Sequence, residues 1–196
     1  SYVAMTKPYY MPFIAVPKAW TIGTNGLVNG KVVFADIKSE EDFAAYKGKL
    51  KGAIVAIMPP QNQGPTFTAD ATRFTDDELD ALTTPDDGKS KASRAEIMKG
   101  RALNNKITQF LADEGVALIL KGTTGKHGTL FTSSPKGYLK DAAPGVPELE
   151  MAPEHVNLMA RLVENNVLVE IEAEVKTAFN NQDLQGYNVI AEIPGA

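Results

Sequence analysis

His127 and His155 are the only imidazoles in this 196-residue chain, and cysteine is absent. Zinc chemistry needs Cys, His or carboxylate ligands at short, recurring spacings. The chain contains neither a His-Glu-x-x-His motif nor a His-x-Asp pair. His127 sits in Gly122-Thr123-Thr124-Gly125-Lys126-His127-Gly128, and His155 in the first turn of a helix expected over 153–164. The spacing therefore puts one histidine in a surface loop and the other on a helix surface, with no catalytic or metal-binding role for either.

The glycine-rich loop invites comparison with a phosphate cradle. A P-loop requires Gly-x-x-x-x-Gly-Lys-Ser/Thr running straight into a helix. Here Gly122 and Gly128 frame five residues, Lys126 precedes the last glycine, and a strand-like Thr129-Leu130-Phe131 follows. A flexible surface loop is the better reading. Ser133 and Ser134 lack the Gly-x-Ser-x-Gly setting of a nucleophile elbow. Asp76, Asp77, Glu78 and Asp80 lack the alternation of a calcium loop. Acids at a helix start already interact favourably with its dipole. Glu170, Glu172 and Glu174 share one face of an alternating strand, which describes a solvated side and not a catalytic pair.

The composition is that of a globular protein, with 43% hydrophobic and 22% charged residues. A formal net charge of −4 argues against nucleic acid as a partner, because phosphate binding needs a basic face. No apolar run approaches the roughly 20 residues that cross a bilayer. Ser1 to Thr6 show no basic stretch leading into an apolar one, so no signal peptide is visible.

The elements that must position these residues read as α/β. Pro8, Pro12 and Pro17 forbid a helix and disfavour a central strand, so residues 1–21 read as an extended segment packed on the remainder. Lys31 to Ala35 reads as a short strand after the turn-rich stretch Gly23 to Gly30. Ser39 opens a helix that turns Phe43 and Tyr46 inward and ends near Gly48. Ala53 to Met58, closed by Pro59-Pro60, has the length of a strand buried on both faces.

Residues 59–93 form an excursion with too few large apolar residues for a core of their own. It carries a capping box at Thr75 and Glu78, and Asp86 to Lys91 as a mobile tip. A second box, Ser93 with Glu96, starts a helix whose Leu103, Ile107, Phe110 and Leu111 share a face. Gly115 caps it, and Val116 to Leu120 is the next buried strand, giving a right-handed parallel crossover. Pro153 begins the last helix, with Val156, Met159, Ala160 and Val163 on one side. Asn165-Asn166 makes the turn into a strand that buries Val167, Val169, Ile171, Ala173 and Val175. An aromatic cluster of Tyr9, Tyr10, Phe13 and Trp20, with Tyr187 near the other end, reads either as core filling or as an interdomain surface.

Several segments resemble a known family. Gly186-Tyr187-Asn188-Val189-Ile190-Ala191-Glu192-Ile193-Pro194-Gly195 resembles the opening strand of the catalytic domain of zinc-dependent exopeptidases, which include secreted bacterial aminopeptidases and glutamate carboxypeptidases. Ala19-Trp20-Thr21 with Gly26 to Val33, Tyr46 to Val55, Phe110 to Ile119 and Val146 to Glu154 resemble, in order, the protease-associated domain that accompanies those enzymes.

The resemblance implies a swivelling β/β/α fold, a small β-sandwich or open barrel with flanking helices. It implies a division into residues 1–21 as an extended segment, 22–186 as the protease-associated domain and 187–196 as the start of a peptidase domain. The expected role is a non-catalytic cover over the active-site cleft that guides substrate access, in a secreted or periplasmic protein. No cofactor is expected in this chain, and zinc belongs to the catalytic domain. The expected partners are that domain in the same polypeptide and peptide substrates. A stand-alone interaction or sorting module is the alternative, and an autonomous hydrolase is disfavoured because no metal ligands are found.

Overall fold

The computed structural model describes residues 1–57, 67, 69, 71–83, 94–132, 145–180 and 182–194. Eight strands form one mixed sheet, with helices on both faces. In chain order the strands are β1 (Tyr2–Lys7), β2 (Met11–Pro12), β3 (Ala15–Pro17), β4 (Val28–Ala35), β5 (Ile54–Ile57), β6 (Leu118–Gly122), β7 (Glu148–Met151) and β8 (Glu170–Glu174). The helices are α1 (Phe43–Tyr46, after a 3-10 turn Glu40–Asp42), α2 (Asp76–Ala81), α3 (Arg94–Asp113) and α4 (Pro153–Glu164).

The strand order is β2-β1-β8-β4-β5-β6-β7-β3. From β4 to β7 the strands are parallel, and all other pairs are antiparallel. β4 joins the two regimes: Val28 to Lys31 pair with β8, and Val32 to Ala35 pair with β5. The expected parallel step from β5 through α3 to β6 is present.

β2 and β3 lie at opposite ends of this sheet, yet only Phe13 and Ile14 separate them in sequence. Three Cα steps span at most about 11 Å. The sheet must therefore curl round until its ends nearly meet, which makes it an open half-barrel, as expected. Closure is covalent, through the chain, instead of through an eighth strand pairing.

The inner face is apolar and is covered by α4. Val3, Met5, Ile54, Ala56, Leu118, Leu120, Leu149, Met151, Val169 and Ile171 pack with Val156 and Met159 of α4. Pro153 starts α4 where its missing N–H has no intrahelical partner to lose. The outer face meets α3 and α1: Val55 and Ile119 pack with Ile107 and Leu111, while Phe43 stacks on Phe110 at 4.5 Å. Gly115, at φ 73, ends α3 with Val116 N–H donating back to the Leu111 carbonyl at 3.1 Å.

Four expectations change. Tyr2–Lys7 is a strand inside the sheet, with Val3, Ala4 and Met5 buried. The prolines spare it because Pro8 follows it and Pro12 and Pro17 sit on the two terminal strands, where a missing N–H costs least. β4 begins at Val28, inside the stretch read as turn, because Val28 to Lys31 pair with β8. Val163 is 37% exposed and leaves the buried side of α4 to Val156, Met159 and Ala160. Thr129 to Phe131 carry no regular structure. Met58 with Pro59-Pro60, the tip Asp86 to Lys91, Ser93, and Ser133 with Ser134 lie outside the described residues.

Candidate functional site

The segment from Lys18 to Thr24 is pinned on both sides. Lys18 N–H donates to the Glu148 carbonyl at 3.0 Å, and Glu148 N–H donates to the Thr21 hydroxyl at 2.9 Å. Thr24 closes the other side, giving its N–H to the Val175 carbonyl and accepting Val175 N–H on its hydroxyl, each at 2.9 Å. Between the anchors the Lys18 ammonium lies 3.5 Å from a Glu148 carboxylate oxygen and 3.4 Å from one of Glu150. All three side chains are almost wholly removed from solvent.

This tether forces Trp20 outward. Its backbone takes φ 63, a left-handed conformation that costs a non-glycine residue about 1–2 kcal/mol. The indole is half exposed and faces the Phe179 ring at a centroid distance of 6.1 Å and 47°. Lys18 to Thr21 and Thr177 to Asn180 line a cleft of about 390 Å³ between them. Strained, exposed aromatic residues of this kind cluster at recognition sites.

The other aromatic residues of the expected cluster part company. Tyr9 and Tyr10 are exposed, and the Tyr10 hydroxyl lies 3.4 Å from that of Tyr2. That contact raises the Tyr2 pKa above its ordinary range, with smaller contributions from burial and Glu172. Phe13 turns inward, is 9% exposed, and stacks on His155 at 4.8 Å, so it belongs to the core and not to a surface. Tyr187 is 78% exposed and its hydroxyl donates to Gln185 two residues away at 2.8 Å. Among the described residues no ring contact joins any two of Tyr9, Tyr10, Phe13, Trp20 and Tyr187.

The remaining candidates fall into structural roles. His127 is exposed in its loop at φ 54. His155 is only partly exposed, unlike the helix-surface residue expected, because its Nδ1 accepts the Ile14 N–H at 3.0 Å. Burial lowers its pKa, against the nearby Glu154 carboxylate. Gly125 belongs to a tight loop: a Cβ there would fall 1.6 Å from the Thr129 carbonyl oxygen. The acids of α2 form its first turn, where Glu78 accepts the Thr75 N–H at 2.8 Å and Thr75 accepts the Glu78 N–H at 3.3 Å. Those bonds to Thr75 lower the Glu78 pKa. On β8, Glu170 pairs with Lys7 and Glu174 with Lys176, both at 2.9 Å. Among the described residues no group of three or more His, Asp or Glu is arranged to hold a metal ion, and no helix is long and apolar enough to cross a membrane.

No protein-family model matches the chain, and no curated protein matches it in sequence. Solved structures do resemble it. One is the Peptidase M28 precursor from Shewanella amazonensis SB2B, with a TM-score of 0.51 and 13% identity, covering 88% of this chain and 34% of that one. Another is the aminopeptidase from Aneurinibacillus sp. strain AM-1, with a TM-score of 0.49 and 11% identity, covering 89% of this chain and 30% of that one. The chain thus spans about a third of the length of these peptidase structures. At 13% identity the likeness to the first is one of fold.

Proposed function

We propose that this chain is the protease-associated domain of a zinc metallo-exopeptidase of the aminopeptidase and glutamate carboxypeptidase kind. In this reading it does no catalysis. It covers the active-site cleft of a peptidase domain in the same polypeptide and governs which peptides reach it. Zinc and its ligands belong to that other domain, and the protein works in a secreted or periplasmic setting.

The observation that carries the reading is the agreement of fold over 88% of this chain with 34% of a peptidase chain. Fold alone does not assign function. Support also comes from the ordered run of segments, Trp20-Thr21 through Val146 to Glu154, that resembles such domains. The surface adds a third strand of support. Tyr187, Val189, Ile190 and Ile193 are between 78% and 98% exposed, a density of apolar side chains that suits a neighbouring domain. Trp20 and Phe179 offer a second apolar face of the same kind.

The test uses the natural gene product. Its intact mass and its zinc-dependent aminopeptidase activity are measured beside those of this chain, and then with residues 22–186 deleted. A larger, active product whose selectivity among peptides of different length shifts on deletion supports the proposal. Unchanged selectivity overturns the access role. A natural product that ends near Ala196 overturns the peptidase link and favours a stand-alone binding module.

A further inference from the structure

We propose that His155 is an acid-sensitive clasp: neutral, it holds the Phe13–Ile14 link of the half-barrel onto the start of α4, and protonated, it lets that link go. The inference is independent of any peptidase partner, because it concerns only how the curled sheet is kept closed.

The clasp has three contacts. Ile14 N–H donates to His155 Nδ1 at 3.0 Å, Ala152 N–H donates to the Ile14 carbonyl at 3.0 Å, and the imidazole stacks on Phe13 at 4.8 Å. An acceptor at Nδ1 means that the ring is neutral, with its proton on Nε2. A proton added to Nδ1 converts the acceptor into a donor facing another donor. The Ile14 N–H then loses its partner, and the new cation sits at a partly buried site where it has given up hydration.

The surroundings set the direction. From α4 itself, Glu154 is the charged group that acts on the ring and it favours the protonated form, but the loss of hydration outweighs it. One Glu154 oxygen accepts the Gly128 N–H at 3.2 Å, and the other is buried without a hydrogen-bond partner. The link contributes Phe13 and Ile14, neither of which titrates. The loop that packs on Ile14 through Gly128 carries the exposed His127. Protonation of His155 therefore adds positive charge beside the link that Glu154 offsets only in part.

The link matters because of where it lies. It joins the two terminal strands, so releasing it leaves β2 and β3 held only by their pairings with β1 and β7 and loosens the cover over Phe13. The exposed Tyr9 and Tyr10 stand just before β2 and move with it.

Amide hydrogen exchange, corrected for the intrinsic pH dependence of exchange, tests the proposal on this chain and on His155→Asn and His155→Phe. Asparagine places an acceptor oxygen near the position of Nδ1 and does not titrate. Imidazole 15N spectra report the tautomer and the protonation of His155 directly. Between about pH 7.5 and about pH 5, across the range where His charges, the Ile14 and Ala152 amides of the unmodified chain are expected to lose about tenfold in protection, the size of one intramolecular hydrogen bond lost. His155→Asn is expected to stay protected throughout, and His155→Phe to be unprotected at both ends. Protection that stays flat while the imidazole signals show protonation overturns the clasp. So does an imidazole that stays neutral over this range, or a His155→Asn profile that tracks the unmodified one. Should His155→Phe fail to fold, the comparison with asparagine and the 15N spectra decide alone.

Discussion

Lys18 and Glu150 approach to 3.4 Å with only 9% and 1% of their side chains exposed, and they stand 132 residues apart in sequence. Glu148 completes the group from the same strand, so one ammonium serves two carboxylates on β7. The arrangement fixes β3 against β7 and sets the angle at which the chain leaves toward Trp20. Removing the cation from a buried ion group costs about 3–5 kcal/mol. Lys18→Met is therefore expected to lower unfolding stability by that order, read from denaturant titration. Lys18→Arg, which keeps the charge, is expected to lose far less.

Trp20 carries backbone strain without filling the core. Trp20→Gly removes the left-handed penalty but frees the unfolded chain, and these effects nearly cancel. Both variants lose the contact with Phe179, so we expect each to melt somewhat below the unmodified chain, with Trp20→Gly, which sheds the strain, no lower than Trp20→Ala. Calorimetry of the two variants checks the order. A Trp20→Gly loss of several kcal/mol would show the indole to be a core element.

The pH profile of stability should have two limbs. Burial lowers the His155 pKa in the folded chain, so as pH falls through about 6.5 the unfolded chain binds this proton first. The stability His155 contributes is complete above that value and is lost as pH falls toward the folded pKa. Backbone N–H groups of Lys38 and Ser39 lower the Asp42 pKa, and Thr75 does the same for Glu78. Their contributions persist above the usual carboxylate range and disappear as pH falls through the lowered values. Thermal melts across pH should show His155→Asn flattening the upper limb and leaving the lower one intact.

Two glycines give opposite expectations for the same substitution. At Gly125 the new Cβ would meet the Thr129 carbonyl oxygen at 1.6 Å, so the loop backbone has to move. Overpacking of this kind costs about 1–3 kcal/mol. Gly100 lies within α3 with nothing within 4 Å of its Cβ position. Gly100→Ala is expected to stabilise by about 0.5–1 kcal/mol through helix propensity. Chemical denaturation of both variants decides.

What the sequence made legible is what short-range periodicity encodes. The burial of Val169, Ile171, Ala173 and Val175 follows from strict alternation, although Val167, at its start, is only partly buried, and the seat of α3 follows from Ile107 and Leu111. The capping box of Thr75 and Glu78 is present as its spacing suggests. The clasp and the ion group were not legible. Ile14 and His155 are 141 residues apart, and nothing local marks a backbone N–H that will need an imidazole. Glu148-Leu149-Glu150-Met151 alternates like a half-wet strand, and only the fold brings Lys18 to its polar side. β1 was hidden because the prolines that follow it dominate the local signal, although they bear on its neighbours and not on it.

The joining of β2 and β3 through Phe13 and Ile14 has a consequence for self-association. A sheet edge with free N–H and C=O groups is a template for adding strands from other molecules, and proteins guard against this with short edges and proline. Here both guards come from one stretch of seven residues, Met11 to Pro17, with a proline in each terminal strand of two and three residues. A single proteolytic nick or a local loosening at this stretch would unmask β1 and β7 at once. The same chain would then present two sticky borders, one at each end of the sheet, and could grow into chains of molecules instead of closed pairs.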